Sequence, residues 1–334
     1  MAEPHGAVPM MTAELAPGRA GRSYWMPIEQ GKVREFAWAT KAADTRYWSD
    51  PAPFLPPTFL VSNAFWLQPG SWVLDNAGLD WARLLSGGSE FTFDGPPLRA
   101  GEQLTATQRV DDVYRKRGRR GGDMTFVVFT TSYARPDGTV AARERHTTIQ
   151  TEQAPDPAAP SPQADADGSR PAAPVSPGHE QPAAPAPSRP GEVPGGPASL
   201  QLGDRLPLLV DAPTSVTDIV RYQGAAGDMN PIHHDPGFAQ LAGFPGVFSV
   251  GMLQAGILGS YLGDLFGAER IRRFGVQFRE QVWPGDVLTY GGDITGRRPV
   301  ADGSAIELDL SLTGRRHRGG EHLRATATVV ADLP

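Results

Sequence analysis

The sequence predicts an α+β fold built twice over, and three observations predict it. Residues 104–110 alternate between apolar and polar with the period of a half-buried strand, and 125–133 are rich in strongly β-prone residues. Each set of strands follows a segment with helical spacing. The two sets also repeat at a near-constant offset. Gly101-Glu102-Gln103-Leu104-Thr105 returns as Gly285-Asp286-Val287-Leu288-Thr289 after 184 residues, while Phe93 returns as Phe278 and Asp50-Pro51 as Asp235-Pro236 after 185.

Residues 1–20 are rich in Ala, Pro and Gly without periodicity and read as a disordered tail. The first unit, 21–152, opens with Val33, Phe36, Ala37 and Thr40 on one face of a helix over 29–43, followed by a polar loop ending at Asp50-Pro51. A second apolar stretch from Phe54 to Leu67 has helical character, and 68–85 is irregular. Strands begin at Glu90 with Phe91 and Phe93, and Arg135-Pro136-Asp137-Gly138 is a turn that closes a hairpin onto 139–149.

Between 153 and 200 the composition changes: 13 of the 33 prolines fall here and no aromatic residue does. Such a stretch buries too little apolar area to offset its ordering entropy, so a disordered Pro/Ala-rich linker is expected. The second unit, 201–334, starts with a short helix over 214–222 whose Ser/Thr/Asp-rich beginning suits an N-cap. Residues 248–266 form a helix apolar on nearly every side, which implies a sheet wrapped around it. Its Gly256, Gly259 and Gly263 are expected to let that sheet approach closely. Gln254, Ser260 and Asp264 interrupt it, so it reads as a core helix and not as a membrane span.

A chain of 334 residues has room for two cores. Its net charge of −6 argues against nucleic acid as a partner, and the absence of cysteine excludes thiol catalysis, Cys-ligated zinc and disulfides. The first residues have no positive region leading into an apolar one, so no signal peptide and a cytoplasmic location are expected.

Chemistry concentrates in Gly227-Asp228-Met229-Asn230-Pro231-Ile232-His233-His234-Asp235-Pro236, on the loop leaving the 214–222 helix, where Pro231 is expected to stop that helix. Asp228 and His233 lie five apart across the proline turn. A carboxylate and an imidazole converging on one small molecule make a general acid/base site. The same residues with His234 and Asp235 read alternatively as a metal site, but adjacent histidines tend to point apart and nothing supplies a further ligand, so no metal and no cofactor are expected. Gly246-Val247-Phe248-Ser249-Val250-Gly251 has the wrong spacing for a serine nucleophile elbow.

The run from Tyr222 through Asp228, Asn230-Pro231-Ile232-His233 and Asp235-Pro236 to Phe238-Ala239, with Phe244-Pro245-Gly246-Val247 and Gly251-Met252-Leu253 after it, resembles the MaoC-like, R-specific enoyl-CoA hydratase and dehydratase family. The first unit resembles the FAS1-like dehydratase domain fused ahead of such domains. That resemblance is carried by Phe36, Pro56-Pro57-Thr58, Phe91, Phe93 and Leu98-x-Ala100-Gly101-Glu102-x-Leu104-Thr105. The resemblance implies a double hotdog, in which each unit is a long central helix wrapped by an antiparallel sheet. It places Asp228 and His233 on the catalytic dyad, Asn230 on a residue that orders the site, and Gly251 on the glycine whose N–H binds the thioester oxygen. Ser249, Val250 and Met252 flank that glycine as substrate-binding positions, Val250 standing where many members have histidine.

The implied reaction is reversible syn dehydration of (3R)-3-hydroxyacyl thioesters, carried by CoA or an acyl carrier protein, to trans-2-enoyl thioesters. A hotdog thioesterase and a non-catalytic thioester-binding subunit are the alternatives. Aligning the halves sets Ala42 or Ala43 opposite Asp228 and Tyr47 near His233, so the first unit is expected to be degenerate, with one site per chain. Arg115 and Lys116 in the first unit and Arg297 and Arg298 in the second are candidate contacts for carrier phosphates. A homodimer of double hotdogs is the candidate assembly.

Overall fold

The β-prone runs pair into one ten-stranded sheet in the computed structural model, which describes residues 15–80, 83–117, 122–151, 185–300 and 303–333. The first half contributes β1 (Tyr24–Pro27), β2 (Leu84–Phe93), β3 (Gln103–Arg117), β4 (Asp123–Ala134) and β5 (Val140–Thr151). The second contributes β6 (Leu209–Val210), β7 (Ile271–Phe278), β8 (Leu288–Pro299), β9 (Ala305–Arg316) and β10 (Glu321–Asp332). The order β1-β3-β4-β5-β2-β7-β10-β9-β8-β6 reads as the same five-strand unit from both ends. The two units join where β2 pairs antiparallel with β7. There Glu90 faces Gly275, a position 185 residues later, so the pseudo-two-fold axis of the repeat passes through that pair.

The duplication extends to hydrogen bonds. Glu102 accepts from the Arg99 N–H at 2.8 Å, and Asp286 accepts from the Trp283 N–H at 2.8 Å. Both turns need glycine next to the acid, because Gly101 and Gly285 have φ of 94° and 92°. The expected turn at 135–138 also forms, with Gly138 donating to the Arg135 carbonyl at 2.9 Å. β2 starts earlier than expected, at Leu84.

Helices α1 (Gln30–Ala39), α2 (Arg46–Ser49), α3 (Val216–Ala226), α4 (Pro236–Leu241) and α5 (Gly251–Phe266) complete the chain. α5 is the central helix of the second half and is buried along nearly its whole length. The first half has no counterpart of that length. After Pro56-Pro57 the chain makes a 3₁₀ turn over Phe59–Trp66, which Pro69, lacking an N–H, and Gly70, at φ 80°, do not extend. Trp72, Val73, Leu74 and Ala77 instead pack as an irregular layer on Val110, Val127 and Phe129. The expectation of a long central helix in each unit is thus corrected for the first.

The glycines of α5 do admit a close neighbour, but it is the first half's helical layer and not the sheet. A Cβ at Gly256 would lie 2.5 Å from Thr40 Cγ2, and one at Gly259 would lie 3.4 Å from Pro57 Cβ. Ser260 Oγ donates to Thr40 Oγ1 at 2.9 Å between them. Thr40 is buried and its hydroxyl also donates to the Phe36 carbonyl, so it has little room to yield. Gly256→Val is expected to lower stability by about 1–3 kcal/mol through overpacking. Gly259→Ala, which makes only an ordinary contact, is expected to be neutral or stabilising by up to about 1 kcal/mol. Thermal melting of the two variants checks this contrast.

The expected linker also needs correction at its end. Residues 153–184 lie outside the described residues, but Ser188 pairs with Val210, and Val193 and Leu200 are buried in the core. A few aliphatic side chains are enough to dock this stretch on the second half. Among the described residues, no helix is long and apolar enough to cross a membrane.

Candidate functional site

Ser215 caps α3 through a reciprocal capping box with Asp218, which fixes where the helix starts and therefore what its last turn presents. The helix stops at Gly227, whose left-handed φ of 80° is open to glycine, and not at Pro231 as the sequence suggested. Asp228 follows directly, and its Oδ1 accepts from the Asn230 N–H at 3.2 Å. Asn230 in turn caps the short 3₁₀ turn Pro231–His233, accepting from the Ile232 N–H at 3.2 Å. Pro231 thus begins the turn that brings His233 round to the same side as Asp228.

Buried His233 packs edge-on against Phe248, with ring centroids 5.0 Å apart. Its Nδ1 lies 2.8 Å from the Phe248 carbonyl. A carbonyl only accepts, so Nδ1 carries the proton and the Nε2 lone pair is left to face a ligand. Burial holds the imidazole below its ordinary 6.5, while the Asp228 carboxylate pulls it upward. Its imidazole is thus favoured in the neutral form, with the tautomer set by Phe248.

Gly251 opens α5 behind Val250, and no side chain caps that end. As the first helical residue, Gly251 has no acceptor for its N–H within the helix, so the donor and the helix dipole both point outward. The Phe278 ring closes on it: a Cβ here would lie 3.1 Å from two ring carbons. Glycine is thus required by packing as well as by access to the N–H.

The other expected residues divide. Val250 and Met252 are buried in the core. Ser249 donates its N–H to Val282 at 2.8 Å and accepts from Gln254 at 2.8 Å, which positions Gly251. His234 turns away to Gln223, 2.9 Å from its Oε1. The described residues contain no group of three or more His, Cys, Asp and Glu placed to hold a metal ion.

The arginine expectations are corrected. Arg297 donates to the Leu200 carbonyl at 3.1 Å, and Arg298 pairs with Glu307 and Asp309. Both lie at the end of β8 remote from the Val282–Ser249 contact, about 30 Å along the strand from Leu288. Arg115 and Lys116 lie within β3, where the Lys116 ammonium sits 5.0 Å from the Tyr114 ring centroid. Other basic residues stand on the chain leaving β7 and on the β9–β10 turn: the Arg279 N–H donates to the His322 carbonyl at 2.8 Å, Arg315 pairs with Glu321, and Arg318 lies in the turn. Tyr47, aligned near His233, is buried and packs on Trp48, while Ala43 donates to Asp264 near the far end of α5.

Sequence reasoning passed over three contributors. Gln223 donates to the carbonyls of Asp228 and Asn230 at 2.8 and 3.1 Å and so holds the acidic loop in place. Phe248 sets the imidazole tautomer, and Phe278 presses on Gly251. The only signal for Gln223 was a polar residue beside Tyr222 on the buried face of a helix.

Comparison with known proteins adds to this geometry. A model of the FAS1-like dehydratase domain region matches residues 17–144, and one of the MaoC-like domain matches 200–315. A 3-hydroxyacyl-thioester dehydratase of Mycobacterium tuberculosis is 38% identical over 127 residues, covering 35% of this chain and 43% of that protein. An enoyl-CoA hydratase of the same organism is 38% identical over 91 residues, 26% of this chain and 31% of that one. The matched stretch thus spans less than half of either relative. A UPF0336 protein of Streptomyces coelicolor is 34% identical over 107 residues, 28% of this chain and 69% of that one. Among solved structures, a MaoC-like dehydratase superposes with a TM-score of 0.71 at 21% identity, covering 95% of this chain and 98% of the other. A Mycobacterium tuberculosis protein described as a double hotdog gives 0.60 at 12% identity over 96% and 97%. At these identities the likeness is one of fold, and the fold is the double hotdog.

Proposed function

Since the chain belongs to the MaoC-like dehydratase family, with a FAS1-like dehydratase region as its first half, we propose that it interconverts 3-hydroxyacyl and 2-enoyl thioesters. The observation that carries this reading is the single tautomer of His233, held with Nε2 free beside Asp228. In the dehydration direction the thioester oxygen sits on the Gly251 N–H, where the α5 dipole favours the enolate charge that develops. His233 and Asp228 share the two proton transfers: one takes the α-proton, and the other protonates the β-hydroxyl as it leaves as water. Both act from one face, which makes the elimination syn; the (3R) configuration is what the family resemblance implies. In hydration the dyad holds the incoming water.

Arg279, on the chain leaving β7, and Arg315 and Arg318, on the β9–β10 turn, are the residues we assign to the phosphates of the carrier. The first half supplies no acid/base pair at the aligned positions, so one site per chain is proposed. Incubating the protein with a panel of enoyl and 3-hydroxyacyl thioesters and reading products by mass spectrometry tests the reaction. Release of free CoA without hydration would favour a thioesterase instead.

The lowered pKa of His233 makes a further prediction. Because burial keeps the neutral base form as pH falls through 6.5, the acid limb of kcat/KM is expected to have its midpoint below 6.5. A midpoint at or above that value would show that another group is the base. His234→Ala, which loses only a hydrogen bond to Gln223, is expected to change turnover no more than a few-fold.

A further inference from the structure

The first half keeps a row of polar side chains on the inner face of its sheet, where a second hydrophobic core would be the simplest outcome. Glu144, His146, Thr148 and Gln150 alternate along β5, so they share one face. Ser86 and Ser89 oppose Thr148 and His146 on β2. Ser89 Oγ lies 2.7 Å from His146 Nδ1 and donates to Glu144 at 3.4 Å. Tyr133 reaches Glu144 at 3.5 Å, Asn63 donates to Tyr133 at 2.8 Å, and Tyr24 donates to Asn63 at 3.1 Å. Glu144 is buried, yet no lysine or arginine joins the cluster among the described residues.

Along these two strands Ser86 Oγ and Gln150 Oε1 are buried without a partner among the described residues, as are Ser62 Oγ and the Tyr222 hydroxyl elsewhere in the interior. Buried polar atoms are rarely left unpaired, and a group of them along one wall points to something that pairs them. The wall reaches the reaction site. Gly88, two residues after Ser86, pairs with Gln277, and the adjacent Phe278 closes on Gly251. Tyr222 lies six residues before Asp228, is fully buried against Phe36, and feels the carboxylates of both Asp228 and Glu144.

We propose that this inner wall selects acyl groups bearing an uncharged oxygen, a hydroxyl or keto group, several carbons from the thioester, with Glu144 and Tyr222 as specificity-determining residues. The chemistry excludes other occupants. A plain alkyl chain would leave these polar atoms unpaired in the dark of the core. A carboxylate would meet Glu144 with no cation to offset it. Burial holds the His146 imidazole at about 4 and pushes the Glu144 carboxyl up to about 7. The imidazole is then neutral at pH 7, and Glu144, in the protonated form that burial favours, both donates to and accepts from an oxygen. Glu144 lies about 13 Å along β5 from Thr148, which sets how far down the acyl chain the oxygen sits.

The inference rests on the hydratase reading, so its test is built to separate the two. Two decenoyl thioesters are compared, one plain and one carrying a hydroxyl at its far end, by turnover; the saturated, unreactive pair is compared by calorimetric binding. The protein is expected to prefer the hydroxylated member by about tenfold or more in both kcat/KM and affinity. Glu144→Leu and Tyr222→Phe, the second keeping its ring on Phe36, are each expected to bring that ratio toward one. Binding preference without turnover would remove the reaction assignment and uphold the polar wall. Equal affinity for the two chains, or a ratio unmoved by both variants, would overturn it.

Discussion

His233→Ala is expected to lower turnover of the enoyl thioester by about 10²–10⁴-fold, the usual contribution of a positioned acid or base. The geometry supports the upper part of that range. The Phe248 carbonyl holds Nδ1 at 2.8 Å and so presents Nε2 in one tautomer, and nothing nearby can take over that orientation. Asp228→Asn is expected to cost as much, because the amide keeps an oxygen for the Asn230 N–H but loses the charge and the ability to carry a proton. Both variants should melt close to the parent, since Asp228 is only half-buried and the turn is capped by Asn230. Near-normal turnover in either variant would refute the dyad. Equal losses at His233 and His234 would move the chemistry to a metal held by both.

Gly251→Val is the second large effect, an expected loss of about 10²–10³-fold in kcat, the size seen when one oxyanion donor is removed. The new Cβ would lie 3.1 Å from the Phe278 ring, so either the ring or the first turn of α5 must move, and the N–H moves with the turn. The loss should fall on kcat more than on KM, because the donor meets charge that grows in the transition state. A variant that only weakens KM would show that the N–H binds the ground state alone. Phe278→Leu made alongside Gly251→Val gives the ring room to yield and should recover part of the loss.

Much of the fold was legible before any coordinates. The alternation in 104–110 and the β-prone run 125–133 became strands β3 and β4, the offset of 184 to 185 residues became the axis through Glu90 and Gly275, and the apolar 248–266 stretch became α5. The first half's helix was not legible. Phe54 to Leu67 has helical apolar spacing, yet Pro56-Pro57 and Pro69-Gly70 bracket it too tightly for more than a 3₁₀ turn. The docking of Val193 and Leu200 was hidden for a related reason. Composition averages over a window, whereas burial is decided by whether one aliphatic side chain finds a groove.

By itself, the sequence marked the candidate site residues, because it sets a carboxylate, an amide and an imidazole within six positions around Pro231, while Gly227 ending α3 and Asn230 capping the next turn decide how they are presented. It likewise determined the duplication, since repeated glycine-acid turns need the same backbone twice. Tertiary structure alone decided which ring nitrogen of His233 is free, because that depends on the carbonyl of Phe248, fifteen residues away, arriving at hydrogen-bonding distance. It also decided which basic residues are available for a carrier. Arg297 and Arg298 look like any exposed pair in the sequence, but the Leu200 carbonyl, 97 residues away, takes Arg297, and Glu307 and Asp309 on the neighbouring strand take Arg298. The polar lining of the first half has the same origin: Glu144 and His146 alternate like strand residues facing solvent, and only the packing of Ser89, Tyr133 and Phe129 around them makes them interior.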